Sequence, residues 1–153
     1  MTMTKIIMLI GAAASGKTTA AQKIAANNNA VIISTDRIRA ALYGAEHIQG
    51  DWQEIEAVLY DRIKNAIKQN KNIILDSTHF KKEYRAKIIK NFSKYSEFSA
   101  YYFNYPFPLI YSRNKHRARR VPFKVLAAMY SELSAAPPIL AEGFKSIKKM
   151  YAN

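Results

Sequence analysis

The sequence predicts an α/β domain in which a parallel sheet of four or five strands carries helices on both faces. Two observations predict it. Near-continuous apolar runs rich in Ile and Val stand at KIIMLI (5–10), AVIIS (30–34) and NIILD (72–76), with SAYYFN (99–104) as a fourth, and such runs suit strands buried on both sides. The segments between them place apolar residues at helical spacing, so strand and helix alternate along the chain.

The elements follow in order. The first run, 5–10, ends at Gly11, and TTAAQKIAANN (18–28) reads as the helix after it. The second strand, 30–34, leads into a helical stretch at 37–43. The segment 51–70 sets Trp52, Ile55, Val58, Leu59, Ile63 and Ile67 on one broad face, and 82–93 repeats that pattern after the third strand. The fourth strand opens the aromatic series YYFNYPF (101–107), which its strand context favours as core over a base-stacking surface. Pro137 and Pro138 mark a late loop, and the tail EGFKSIKKMYAN (142–153) fits a fifth strand or a short helix, since its periodicity does not choose. No repeat, low-complexity tract or linker divides the 153 residues, of which 49% are hydrophobic, so one domain over 1–153 around one core is expected.

Composition removes several function classes. Without cysteine there are no disulfides and no thiol catalysis, and His47, His79 and His116 are too widely spaced for a structural zinc site. No apolar run reaches the roughly 18 residues a membrane span needs, and the start MTMTK lacks the features of a signal peptide. A cytoplasmic protein with no membrane partner is expected. The charge is more telling: 24 Lys and Arg against 11 Asp and Glu give +13. No acidic residue occurs between Glu97 and Glu132, where Arg113, Lys115, Arg117, Arg119, Arg120 and Lys124 all fall. That concentration favours a polyanionic partner over a merely soluble basic surface.

GAAASGKTT, from Gly11 to Thr19, satisfies G-x-x-x-x-G-K-[ST] between a strand and a helix. In that setting the backbone N–H groups of Gly11, Ala12, Ala13, Ala14, Ser15, Gly16, Lys17, Thr18 and Thr19 can wrap nucleotide phosphates at a helix N-terminus. The Lys17 ammonium spans the β- and γ-phosphates, and the Thr18 hydroxyl ligates Mg²⁺. Ligands of open α/β sheets collect beyond the carboxyl ends of the strands, where STDRIR (34–39) and DSTH (76–79) also lie. Asp36 is placed to take a proton from an attacking hydroxyl, or to cap the helix that follows it. Asp76 can hold Mg²⁺ directly or through water, or satisfy its own loop. Arg113 and Arg117, four apart in a segment that can be helical, project from one face. There they bind phosphates or the adenine ring, or remain a solvated basic face. Arg119, Arg120 and Lys124 read as general electrostatic attraction, and His79 and His116 as hydrogen-bonding residues.

Four blocks in order, GAAASGKTT, ISTDRIR, ILDSTHFKKEYR and FNYPFPLIYSRNKHR followed by VPFKVLAAMYSEL, resemble the 5′-kinase domain of the bacteriophage polynucleotide 5′-hydroxyl kinase. The resemblance spans most of the chain. It implies a P-loop kinase fold of nucleoside-kinase-like strand order with a basic helical lid, and ATP-dependent phosphorylation of 5′-hydroxyl ends of DNA or RNA during nucleic acid repair. ATP or another NTP is then the phosphate donor and Mg²⁺ the metal. The resemblance makes Asp36 the general base, Lys17 and Arg117 its catalytic partners, and Arg113 a further donor-side lid arginine. On the acceptor side it places Arg39 at the terminal phosphodiester, Asp76 at an essential acidic position, and Pro122 and Val125 under the terminal base. The sequence departs from the family in the alanines of its phosphate loop, in His79 where Asn is common, and in a shorter turn between Arg117 and Val121. No D-x-D-x-[TV] motif occurs in the 153 residues, so removal of 3′-phosphates is not expected of them. Two other readings remain open: a small-molecule kinase for a sugar, antibiotic or nucleoside, and a nucleic-acid-binding NTPase switch.

Overall fold

The computed structural model of the protein describes residues 3–151. Five parallel strands, β1 (Thr4–Ile10), β2 (Ala30–Ser34), β3 (Asn72–Asp76), β4 (Ser96–Phe103) and β5 (Phe144–Met150), form one sheet in the order β2-β3-β1-β4-β5. Six helices connect them: α1 (Lys17–Asn27), α2 (Thr35–Tyr43), α3 (Trp52–Lys68), α4 (Lys82–Phe92), α5 (Phe107–Lys115) and α6 (Phe123–Ala135), with a short 3-10 turn at Leu140–Glu142 before β5.

Strand order and the right-handed rule for parallel crossovers decide which face each helix covers. The β1-to-β2 step runs one way across the sheet, and α1 packs Ala21, Ile24 and Ala25 on Ile7, Leu9, Ile74 and Phe103. The steps to β3 and β4 run back, so α3 and α4 cover the opposite face. There Ile55, Leu59, Ile63, Ile88 and Phe92 pack on Ile6, Met8, Ile10, Ile73 and Leu75. Alternate residues of β1 thus serve opposite layers, and each fully buried Ile or Leu contributes about 1.5–3 kcal/mol. A third, smaller cluster joins Ala12 to Ile110 of α5 and Leu126 of α6.

Two elements differ from the sequence expectation. β4 starts at Ser96, three residues before the run at 99–104, because Phe98 also packs into the core. The undecided tail is β5, an edge strand in which Phe144 is buried while Lys145, Lys148 and Lys149 are exposed. Lysines on an edge strand discourage pairing with another chain, and they also blur its periodicity. The last two residues of that tail, and the first two of the chain, lie outside the described residues.

Register brings the polar ends of three strands together. Asp76 is aligned with both Leu9 and Ser34, so the segments leaving β1, β2 and β3 all depart from one edge of the sheet.

Candidate active site

Between β1 and α1 the chain folds into a tight loop. Gly11 stands where a Cβ would lie 2.7 Å from Ser15 Oγ and 2.9 Å from Phe103 Cβ, so a side chain has no room. Gly16 has φ 90°, in the left-handed region that glycine enters without strain. Ser15 N donates to Ala12 O at 3.3 Å, and Gly11 N donates to Thr78 O at 3.0 Å, tying the loop to the segment after β3. The alanines have a second use: Ala12 is buried against Ile110 and Leu126, and Ala13 and Ala14 pack at the same place, so the loop is seated under α5 and α6.

The Lys17 ammonium donates to Ala12 O at 2.8 Å and to Ser15 Oγ at 3.3 Å. Burial lowers its pKa to about 8; the charges of Asp76 and, more weakly, Asp36 oppose that shift, and Arg117 adds to it. A lysine left short of compensating negative charge in a cradle of backbone N–H groups is a receptor for anionic oxygen. Thr18 Oγ1 donates to Asp76 Oδ2 at 3.1 Å. Burial pushes the Asp76 carboxyl up, while Lys17 and the Thr18 hydroxyl hold it down. These two oxygens suit a hard cation that takes its remaining ligands from phosphate and water, and the described residues contain no cluster of three or more His, Asp or Glu side chains that would hold a metal unaided. Thr19 is exposed in the first turn of α1.

Asp36 does not cap its helix. Ser34 does, accepting from Arg37 N at 3.3 Å, and Asp36 is the second residue of the helix, so its carboxylate is not taken up by capping. Its Oδ1 is 3.3 Å from Arg39 Nη1 and its Oδ2 is 3.4 Å from Arg119 Nη1, with the carboxylate side chain still 42% exposed. Arg39 also donates from Nε to Gln49 O at 3.4 Å, which fixes it against the loop after α2.

The two lid arginines do not share a helical face. α5 ends at Lys115, and the i-to-i+3 bonds from His116 N to Arg113 O and from Arg117 N to Asn114 O tighten and close it. The buried Asn114 side chain then holds Val121 from both sides, donating to Val121 O at 2.8 Å and accepting from Val121 N at 3.0 Å, so the chain turns back. As a result Arg113 lies over the Tyr105 ring at 4.9 Å and its Nη1 is 3.8 Å from where a Gly16 Cβ would be. Arg117 turns inward toward Lys17, and among the described residues its Nη1 is buried without a hydrogen-bond partner. A buried guanidinium nitrogen with no acceptor fits an anionic ligand in this cradle.

Pro122 precedes α6 as its N-cap, and Val125 lines a shallow apolar groove of about 280 Å³ with Phe80, Lys124, Ala128 and Met129. Of the aromatic series, Tyr102 and Phe103 are core, Tyr105 carries Arg113, and Phe107 packs with Tyr111, Phe123 and Tyr130.

His79 belongs to the scaffold. Its Nδ1 donates to Leu9 O at 2.6 Å, and burial lowers its pKa to about 4, so the ring is neutral. Behind it the fully buried Arg85 donates to His79 O at 2.9 Å, to Ala136 O at 2.8 Å and to Glu142 Oε1 at 2.8 Å. Sequence reasoning passed over this network. The signal was present, because Arg85 occupies the apolar stripe of α4 with Ile88, Ile89 and Phe92.

A phosphate-type loop after β1, a carboxylate after β2, a second after β3 and a cationic lid, all on one edge of a five-stranded parallel sheet, define a P-loop kinase fold. An AAA domain model matches residues 6–136, and the chain belongs to that family, AAA_33. No curated protein matches the sequence. Among solved structures, a chain of the Pnkp1/Rnl/Hen1 RNA repair complex superposes with a TM-score of 0.80 at 18% identity over 88% of this chain. This chain spans only 45% of that one. A gluconokinase from Sinorhizobium meliloti 1021 gives a TM-score of 0.65 at 17% identity, covering 99% of this chain and 84% of its own. The Mycobacterium tuberculosis APS kinase CysC, in complex with AMPPNP and APS, gives 0.65 at 13% identity, with 99% and 90% covered. At these identities the likeness is one of fold. No helix of the described residues is long and apolar enough to cross a membrane.

Proposed function

We propose that the protein transfers the γ-phosphoryl group of ATP to the 5′-hydroxyl end of DNA or RNA. One observation carries the reading: the Asp36 carboxylate beside the phosphate loop is flanked by Arg39 and Arg119, from two different elements. A kinase for a neutral sugar needs the carboxylate but has no use for two cations around it. An acceptor that brings its own phosphodiesters does. The acid-free stretch between Glu97 and Glu132 extends the same field.

On the donor side, the loop N–H groups and Lys17 hold the β- and γ-phosphates, Arg117 reaches the transferring group, and Arg113 with Tyr105 closes over Gly16. Thr18 and Asp76 would hold Mg²⁺, directly or through water, and the ion would neutralise phosphate charge. On the acceptor side Arg39 engages the terminal phosphodiester, and Pro122 and Val125 support the terminal base. The 5′-oxygen forms the new P–O bond as its proton passes to Asp36, while the bond from the γ-phosphorus to the bridging oxygen breaks and ADP leaves. Lys17 and Arg117 stabilise the charge that develops, so the protein contributes position and electrostatics.

The test is transfer of labelled phosphate from ATP to 5′-hydroxyl DNA and RNA oligonucleotides beside nucleosides, gluconate, other sugars and adenosine phosphosulfate. Oligonucleotides should be labelled, Asp36→Ala should abolish labelling while retaining nucleotide binding, and acceptor binding should weaken steeply with salt. Labelling confined to small molecules overturns the reading and supports a second one, a small-molecule kinase. This chain spans 84% of the gluconokinase chain and 90% of the APS kinase chain against 45% of the RNA repair chain, which favours that alternative.

A further inference from the structure

Resting on that reading, we propose that Arg119 is a latch on the general base: it holds Asp36 until a phosphate of the acceptor draws it away, and so selects for anionic acceptors. The two arginines beside Asp36 are not equivalent. Arg39 lies on the same helix three residues on, is anchored to Gln49 O, and has a side chain only 16% exposed. Arg119 comes from the turn after α5, is 34% exposed, and spans the crevice to reach the carboxylate.

With Arg39 on Oδ1 and Arg119 on Oδ2, both oxygens of the base face cations. A hydroxyl that is to give up its proton meets a carboxylate whose negative charge both cations stabilise. Arg39 is held twice, by its hydrogen bond to Asp36 at 3.3 Å and by Nε on Gln49 O, whereas Arg119 meets the carboxylate through an ion pair at 3.4 Å. Its turn is clamped where Asn114 holds Val121, its side chain is twice as exposed as that of Arg39, and its contact with Oδ2 at 3.4 Å is, like that of Arg39 with Oδ1 at 3.3 Å, longer than the roughly 2.7–2.9 Å of a tight charge-assisted hydrogen bond. An acceptor phosphodiester offers Arg119 a second anion and frees Oδ2 when the hydroxyl arrives. A neutral acceptor offers none, and meets the base with Arg119 still on it. Arg119 acts through Asp36 and is a specificity-determining positioning residue; the reacting atoms do not touch it.

The experiment compares kcat/KM for a 5′-hydroxyl oligonucleotide and for the matching free nucleoside in wild type, Arg119→Ala and Arg119→Lys. Arg119→Ala should lower the oligonucleotide-to-nucleoside ratio by about tenfold or more, in the usual range of coupling between sites, with nucleoside transfer raised; an unchanged nucleoside rate would make Arg119 a plain phosphate contact and overturn the latch. Arg119→Lys, which keeps a cation on the turn, should retain most of the ratio. If wild type labels oligonucleotides and the ratio is unchanged in Arg119→Ala, or both substrates lose rate alike, the latch is overturned and the functional reading survives. Should wild type label no 5′-hydroxyl oligonucleotide, the functional reading falls and the latch with it.

Discussion

Replacing Arg85 with Met removes the cation of a buried network and leaves its anion behind. The side chains of Arg85 and Glu142 are 0% and 4% exposed, with Nε 2.8 Å from Oε1. The other two guanidinium nitrogens donate to the carbonyls of His79 and Ala136. Met fills much of the same space and donates nothing. Glu142 would keep its bond from Ile139 N at 2.7 Å and lose its counter-charge. Breaking a buried pair from one side costs about 3–5 kcal/mol. With a urea m-value of about 2 kcal/mol per molar, the unfolding midpoint should fall by about 2 M. The single tryptophan, Trp52, stacked on Tyr84 of α4 at 5.3 Å, supplies a fluorescence signal close to this helix. Adding Glu142→Gln removes the orphan charge while keeping an acceptor for Ile139 N, and should recover at least half of the loss. A single variant within about 1 kcal/mol of wild type, or a double variant no better than the single, would refute the assignment of the cost to an uncompensated charge.

Three further outcomes follow from the site. At pH 8 Lys17, whose pKa is held near 8 by burial, is about half protonated, and phosphate oxygens beside it should complete its protonation. ATP binding should therefore take up on the order of half a proton, read as a buffer-dependent binding enthalpy by titration calorimetry; an enthalpy independent of buffer ionisation would remove Lys17 from the phosphate site. His79, with its pKa lowered from 6.5 to about 4, stays neutral in the folded state where the unfolded chain takes a proton. Stability should fall as pH drops from 6.5 toward 4, and His79→Asn should flatten that decline, which urea midpoints across this range would measure. Ala14 has φ 67°, a left-handed conformation that strains any residue with a Cβ. Ala14→Gly relieves about 1–2 kcal/mol of that strain against about 0.4–1 kcal/mol of added unfolded-state entropy, for a net gain of roughly 0.5–1 kcal/mol. Thermal unfolding checks it, and a loss of stability would mean that the methyl packed beneath α5 and α6 outweighs the strain.

What the sequence revealed depended on how far apart the interacting residues lie. Strands β1 and β3 were readable because a parallel strand is covered on both faces and so writes itself as an unbroken run, Ile6 to Ile10 and Ile73 to Leu75. β5 was not, because FKSIKKM is an edge strand whose three exposed lysines fall at i, i+3 and i+4, a spacing that also suits one face of a helix. The phosphate loop was readable for a related reason: its hydrogen bonds close within a few residues, from Ser15 to Ala12 and from Lys17 to Ala12. The lid broke that pattern. A spacing of four between Arg113 and Arg117 suggested a shared helical face, yet the pair is split by the clamp from Asn114 to Val121, a tertiary contact that no periodicity encodes.

The same clamp explains why charge counting undervalued Arg119. In the sequence it is one cation among six in an acid-free stretch, and nothing in its neighbours sets it apart from Arg120 or Lys124. In the fold, the turn closed by Asn114 points Arg117 toward Lys17 and brings Arg119 to Asp36, so under the proposed function adjacent parts of one basic segment would serve opposite sides of the reaction. A net charge of +13 therefore understates the chemistry. Long-range attraction asks only that the cations be present, whereas dividing donor from acceptor asks that the turn have one particular length. Under that proposal, lengthening the turn between Arg117 and Val121, shorter here than the family resemblance implies, by one residue should separate Arg119 from Asp36 and lower the oligonucleotide-to-nucleoside ratio as Arg119→Ala does, while ATP affinity measured by titration calorimetry stays unchanged; a variant that keeps the wild-type ratio would refute it.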